Sequence, residues 1–399
     1  MLDFAQITSQ IRNFAADQAR ALPQQQAAWK EARRRLHESG PLWEETREKI
    51  AHSRTSCLVA AWHEPPDRAH AAPPRPLPCT VLAADGSQIV SDRHDIALCY
   101  LINVGMIALR YGTGERATLT SRPKLAPPDD DLLDEFQGEQ AVIVPKRLAI
   151  RRLLAEFAGL AEMIVENAPT ASGPMLALSD GSLILWPLET EHDEFRAASL
   201  AAFESHLETA RQHNVPIVGY ISQPTSRDVV NALRVFRCPH PQANCDRYCP
   251  NRQKPKPHFV APDCAGTERL TDADLFFDLL QPGERSAVFG SRSQILGSYR
   301  PENSIRFFYL HTGLEVARVE IPAWVATDPA LLSLAHALCY DQAQKGDGYP
   351  VALAEAHEQA IVRGAERAAF FHLMEREFVH SRLPVAVTRK AASKRARRV

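Results

Sequence analysis

Two short runs in the 399-residue chain carry the residue types for metal-assisted chemistry. Thr80-Val81-Leu82-Ala83-Ala84 leads into Asp85-Gly86-Ser87, and Met175-Leu176-Ala177-Leu178-Ser179 leads into Asp180-Gly181-Ser182. Each reads as an apolar strand that delivers one carboxylate into a tight glycine turn. Carboxylates at strand ends are held by ladder hydrogen bonds, so they make well-placed ligands for a divalent cation. Asp-Gly is also an ordinary turn signal between strands, and a single copy would carry no more than that. The repetition in matching contexts is what raises the chemical reading.

A third candidate lies near the C-terminus. Residues 350–378 read as one long helix, in which His357 falls on the same side as Leu353, Ala360, Gly364, Ala368, Phe371 and Phe378. This phase predicts an inward His357, with Glu355 and Glu358 turned away, although an inward histidine is commonly just a satisfied core residue. A fourth comes from the amphipathic pattern over residues 145–167, with Ile150, Leu153, Leu154, Phe157, Leu160 and Ile164 on one stripe. At ~100° per residue, Glu162 falls opposite the stripe and faces water, whereas Glu156 sits at its edge beside Leu160. Asp85, Asp180 and His357, with Glu156 as the fourth, form an oxygen-rich set with one imidazole. That mixture suits Mn²⁺ or Mg²⁺ better than structural zinc. Such a site activates water and stabilises charge on a phosphodiester.

Cys238, Cys245, Cys249 and Cys264 concentrate four of the eight cysteines in one segment, with His240 and His258 nearby. Four thiolates can close a zinc site or hold an iron–sulfur cluster; the spacing fits neither the usual zinc-finger nor ferredoxin runs. Cys57, Cys79, Cys99 and Cys339 are scattered and read as inert thiols. Lys146, Arg147, Arg151, Arg152, Arg227 and Arg234 are candidates to hold the phosphates of a substrate, or are simply surface charge.

The elements that must position these residues follow from composition and pattern. With 45% hydrophobic residues and a formal charge of -2, the chain can bury a full core. No apolar run approaches ~20 residues, so no membrane association is expected. The first ten residues lack a basic region before an apolar stretch, and eight cysteines without a secretory leader fit a reducing cytoplasm. Residues 1–62 read as helical, with Phe4, Ile7, Ile11 and Phe14 at helical spacing, and a Pro-rich connector follows at 64–78. Residues 96–111 read as a buried strand, or two with a break at Asn103-Val104-Gly105, and 121–139 as an acidic solvated loop. Helix 193–213, strand 215–222, a helix capped by Ser226, strands at 286–291, 305–310 and 315–322, and a helix capped by Asp328 complete the pattern. Alternating strands and helices predict an α/β fold, a mixed sheet flanked by helices, with an N-terminal helical segment and a cysteine-bearing insertion.

Taken in order, the two Asp-Gly-Ser strands, Tyr220-Ile221-Ser222-Gln223-Pro224-Thr225-Ser226 running into Val229-Val230-Asn231-Ala232-Leu233-Arg234, and Gly348-Tyr349-Pro350-Val351-Ala352-Leu353-Ala354-Glu355-Ala356-His357 resemble the NurA nuclease family over roughly residues 78–378. The resemblance implies an RNase H-like core and a manganese-dependent 5′-to-3′ DNA exonuclease and single-strand endonuclease. It also implies a homodimer working with a HerA-type hexameric ATPase in DNA end resection and double-strand break repair. Residue by residue, Asp85 matches the first metal aspartate, Asp180 the second and His357 the metal histidine. Glu156 or Glu162 matches the helical glutamate, and helix phase favours Glu156. The cysteine cluster departs from the family pattern. The expected organisation is a helical segment with its connector over 1–75, a nuclease domain over 76–379 with the insertion at 238–264, and a basic flexible tail over 380–399. A competing reading is a catalytically silent DNA-binding or assembly subunit on the same fold. A hydrolase of another phosphate ester is a third.

Overall fold

The computed structural model describes residues 3–91, 97–134, 142–249 and 264–383. His258 and the basic tail from Arg389 to Arg398 lie outside them. In chain order, helices α1 (Phe4–Ser39) and α2 (Trp43–Ala51) precede the short strands β1 (Ala61–Trp62) and β2 (Ala69–His70). The expected helical region therefore ends at Ala51. Strands β3 (Cys79–Val90), β4 (Tyr100–Tyr111) and β5 (Thr118–Ala126) follow, then the small pair β6 (Leu133–Asp134) and β7 (Val142–Ile143). Next come α3 (Pro145–Asn167), β8 (Met175–Asp180), α4 (Asp193–Gln212), β9 (Ile217–Ile221), α5 (Asp228–Phe236), α6 (Cys245–Tyr248) and α7 (Asp272–Phe277). The chain closes with β10 (Arg285–Ser286), β11 (Phe289–Gly290), β12 (Ile305–His311), β13 (Val316–Pro322), α8 (Ala323–Thr327), α9 (Pro329–Lys345), α10 (Val351–Ala360) and α11 (Gly364–His380).

These elements fall into two compact units. One comprises Met1–Ala72, Ile221–Leu296 and Ser304–Glu320; the other comprises Pro73–Tyr220, Gly297–Asn303 and Ile321–Val399. The second unit contains a mixed sheet in the order β9-β8-β3-β4-β5. β3, β4 and β5 are antiparallel neighbours, while β8 and β9 run parallel to β3 and to each other. The expected α/β architecture, a mixed sheet flanked by helices, is present. Helix α3 forms where the stripe predicts it, with Pro145 in its first turn, where a missing N–H costs nothing. Buried Phe157 meets Phe203 of α4 edge-on at 4.7 Å, and burying one such ring contributes roughly 1.5–3 kcal/mol.

Several expectations are corrected. Residues 121–126 belong to strand β5 and not to a loop. β4 runs unbroken through Asn103-Val104-Gly105. The C-terminal helix is two helices: Ile361 and Arg363 are extended, and the Arg363 N–H donates to Glu366 Oε2 at 2.7 Å, which starts α11 afresh. β-branched Ile361-Val362 makes that the weak point of the helical run. Asp328 caps α9 as expected, accepting from the Ala330 and Leu331 N–H groups at 2.8 and 3.2 Å.

The first unit packs Trp62, Phe289, Phe307 and Tyr309 with aliphatic residues of α1, α2 and α5 into one core. Ser226 does not cap α5, because its hydroxyl pairs with the Tyr309 hydroxyl at 2.8 Å. Arg227 occupies the N-cap position, and the Val229 and Val230 N–H groups donate instead to the Asp272 carboxylate at 3.0 and 2.8 Å. A residue distant in sequence thus does the capping, which local patterns cannot show.

Candidate metal centre

The site is built on β3 and β8. Their parallel register pairs Ala84 with Ser179, so Asp85 and Asp180 come next on adjacent strands, which run about 4.8 Å apart. The two Asp-Gly-Ser runs are nevertheless different structures. β8 ends at Asp180, and Gly181 turns the chain away with φ +107°, where a side chain would be strained. β3 continues through Asp85-Gly86-Ser87 as far as Val90, pairing Asp85 with Gly105 and Ser87 with Asn103. The expected turn at Gly86 is absent, because a full partner strand is available to it in β4.

Alternation along β3 decides what meets what. Asp85 and Ser87 share the face covered by α10. There the Ser87 hydroxyl and Asn103 Nδ2 both donate to the Ala360 carbonyl, the latter at 2.9 Å. Gly105 lets α10 settle, since a Cβ there would lie 2.4 Å from the Ala356 carbonyl oxygen. This seats His357, whose Nδ1 is 2.7 Å from Asp85 Oδ2, while Asp85 Oδ1 accepts from the Gly86 N–H at 2.7 Å. The inward orientation expected for His357 is corrected: its side chain is 59% exposed, with Nδ1 on Asp85.

Gly86 faces the opposite side, toward α3. A Cβ at this position would lie 2.4 Å from Glu156 Oε1 and 2.9 Å from Arg152 Cγ. The missing side chain is the gap through which Glu156 approaches the two aspartates from across the sheet. Glu156 is buried, and its Oε1 has no hydrogen-bond partner. Burial pushes its pKa up to about 8; Arg152 opposes the shift, Asp85 and Asp180 add to it, and the Gly86 N–H counters it. Arg152 stands 3.6 Å from Glu156 Oε1 and donates from Nη1 to the Gly86 carbonyl at 2.8 Å. Glu162 is exposed and paired with Arg122, as its helix phase predicts.

Asp180 is exposed at its strand end, yet the protein atoms around its carboxylate raise its pKa. A hydrogen bond from the Tyr349 hydroxyl works against the rise, Asp85 adds to it and His357 opposes it. Helix and strand patterns give no sign of Tyr349 as a partner of Asp180; the only signal in the sequence is its place in the Gly348-Tyr349-Pro350 run that leads into α10. Among the described residues, no three His, Cys, Asp or Glu side chains stand close enough together to hold an ion without rearrangement. The chemistry of the donor set still fits a divalent cation: three carboxylates oppose one another's charge, and a buried oxygen lacks a partner.

The candidate phosphate-binding cations are mostly engaged. Lys146 and Arg147 pair with Glu191, Arg151 with Asp129 and Asp131, and Arg234 with Glu268. Arg227 donates to the Glu268 carbonyl at 2.6 Å.

Residues 79–362 match the NurA domain. The chain belongs to the NurA family. The matched span contains all four candidate site residues. Among solved structures, the NurA nuclease from Sulfolobus solfataricus is similar at 13% identity and a TM-score of 0.49, covering 96% of this chain and 98% of that one. NurA bound to dAMP and manganese is similar at 12% identity and a TM-score of 0.34, covering 74% and 87%. NurA with manganese is similar at 12% identity and a TM-score of 0.31, covering 75% and 88%. At such identities and scores, membership rests on the domain match. No curated protein matches the chain. Among the described residues, no helix is long and apolar enough to cross a membrane.

Proposed function

We propose that this NurA-family chain is a divalent-metal-dependent DNA nuclease, with Asp85, Asp180 and His357 as metal ligands and Glu156 as the fourth catalytic carboxylate. The observation that carries this reading is the convergence on β3: two aspartates adjacent on parallel strands, His357 on Asp85, and a buried Glu156 reaching through the gap at Gly86. A cation such as Mn²⁺ or Mg²⁺ held there would neutralise charge on a phosphodiester and make a nucleophile available from water. The protein's own contribution is placement. The β3–β8 register fixes the two aspartates, Tyr349 orients Asp180, Arg152 is anchored on the Gly86 carbonyl beside Glu156, and the Ala360 tether fixes His357. In hydrolysis, water forms a new P–O bond, the scissile P–O bond breaks, and a proton passes to the leaving alkoxide.

The proposal includes 5′-to-3′ exonuclease and single-strand endonuclease activity in DNA end resection, as a cytoplasmic homodimer with a HerA-type hexameric ATPase. It assigns the reaction to residues 76–379. The test is cleavage of 5′- and 3′-labelled oligonucleotides with Mn²⁺, Mg²⁺ or chelator. Cleavage that requires metal, and that falls at least ~100-fold in Asp85→Ala and Asp180→Ala while folding is retained, supports the reading. Folded wild-type protein that binds DNA yet cuts no substrate under any metal would overturn it in favour of a silent binding subunit.

A further inference from the structure

The other compact unit gathers a separate set of thiols around one cavity. Cys238, Cys245, Cys249 and Cys264 all line one cavity of about 30 Å³, and Cys57 lines it too. The sequence treats Cys57 as an isolated thiol. The fold brings it in because the Arg54 N–H donates to the Ala243 carbonyl at 2.8 Å, and the Cys245 N–H to the Arg54 carbonyl at 2.9 Å.

Each thiol is placed by a backbone device. Cys238 follows α5, its N–H donating to the Val235 carbonyl at 3.1 Å. Cys245 opens α6 and Cys249 follows it, with the Cys249 N–H on the Cys245 carbonyl at 2.9 Å. An i, i+4 pair of this kind lies on one side of a helical turn. Asn244 caps that turn, its Oδ1 accepting from the Arg247 N–H at 3.0 Å. The Cys264 carbonyl accepts from Nη1 of buried Arg35 at 3.1 Å. Thiols used only as small apolar packing have no need to gather from distant segments around one cavity.

We propose that Cys238, Cys245, Cys249 and Cys264 form a four-thiolate centre for a thiophilic metal, zinc or iron in an iron–sulfur cluster, which fastens the segment after α5 to the chain at Arg54. Cys57 packs beside the centre without ligating it. On binding, each thiol rotates toward the cavity and releases its proton to solvent. The centre is structural, because its four positions are closed by protein ligands.

The test is elemental analysis of the full chain, purified anaerobically without chelator, with acid-labile sulfide and visible absorption measured on the same sample. About one zinc per chain in a colourless protein, or iron with matching sulfide and a visible band, supports the proposal and names the metal. Cys245→Ser with Cys249→Ser should lose that metal, whereas Cys57→Ala and Cys99→Ser should keep it. Should the double variant not fold, thiol-by-thiol mercurial titration of the wild type should release the metal as four thiols react. Wild type that holds none of these metals, even after reconstitution with zinc or with iron and sulfide, would overturn the proposal. Metal content is read without any nuclease assay, so this result stands apart from that of the carboxylate site.

Discussion

At the scale of single residues, Gly86 is the position on which the carboxylate site turns. Its missing Cβ leaves the space that Glu156 Oε1 occupies. Gly86→Ala should therefore displace Glu156, lowering stability by about 1–3 kcal/mol and cleavage at least ~10-fold. Chemical denaturation and a metal-dependent cleavage assay check the two effects. Adding Glu156→Asp, which shortens the intruding side chain, should recover stability more than activity. Glu156 also predicts a pH dependence in metal-free protein. Its pKa is raised from 4.5 to about 8, so the folded state holds a proton that the unfolded state has released between those values. The stability it contributes is present below about 4.5 and is lost as pH rises through about 8, to an extent of a few kcal/mol. Glu156→Gln should flatten that part of the wild-type curve of stability against pH, measured in chelator; an unchanged slope would mean that Glu156 is not the group titrating.

At the scale of elements, the site depends on what each strand and helix does after its chemical residue. The sequence shows two Asp-Gly-Ser runs as equivalent, and local pattern cannot distinguish them. Only the partner strand β4, which pairs Asp85 with Gly105, turns the first into mid-strand and leaves the second as a strand end. Helix phase does separate buried Glu156 from exposed Glu162, because α3 is regular along its whole length and the apolar stripe fixes its rotation. The same reasoning misplaces His357. The stripe crosses a break at residues 361–363, and α10 turns Ala352, Leu353, Ala356 and Ala360 inward, held close by Gly105, Ser87 and Asn103, which leaves His357 off the buried face. Asn103→Ala should leave the Ala360 carbonyl with one donor fewer, costing about 1 kcal/mol. It should lower kcat for cleavage several-fold with little change in DNA affinity, measured by single-turnover kinetics and anisotropy. A loss confined to affinity would contradict a tether that acts through His357.

At the scale of the whole molecule, the mixed sheet of β9-β8-β3-β4-β5 is legible from alternating strands and helices, and family membership from the ordered motifs. Less legible are the long-range polar contacts within the other unit. Buried Arg318 pairs with Asp228 at 2.9 Å and with Glu320 at 2.8 Å, and its guanidinium lies 3.6 Å from the centre of the Phe307 ring. No local spacing links residues 90 or 43 apart, so neither the Arg318–Asp228 pair nor the capping of α5 by Asp272 can be read from the sequence. Arg318→Met should leave two buried carboxylates without their cation and destabilise the protein by roughly 3–5 kcal/mol, checked by urea denaturation at neutral pH. The central claim is that Asp85 and Asp180 bind the cation on which hydrolysis depends. Its most direct measurement is a Mn²⁺ titration of chelator-treated protein, followed by the electron paramagnetic resonance signal of free Mn²⁺, in wild type, Asp85→Asn and Asp180→Asn. The expected result is saturable removal of free Mn²⁺ by the wild type, with affinity at least ~10-fold weaker in both folded variants. Equal Mn²⁺ binding by all three proteins, with cleavage preserved in the variants, would contradict it.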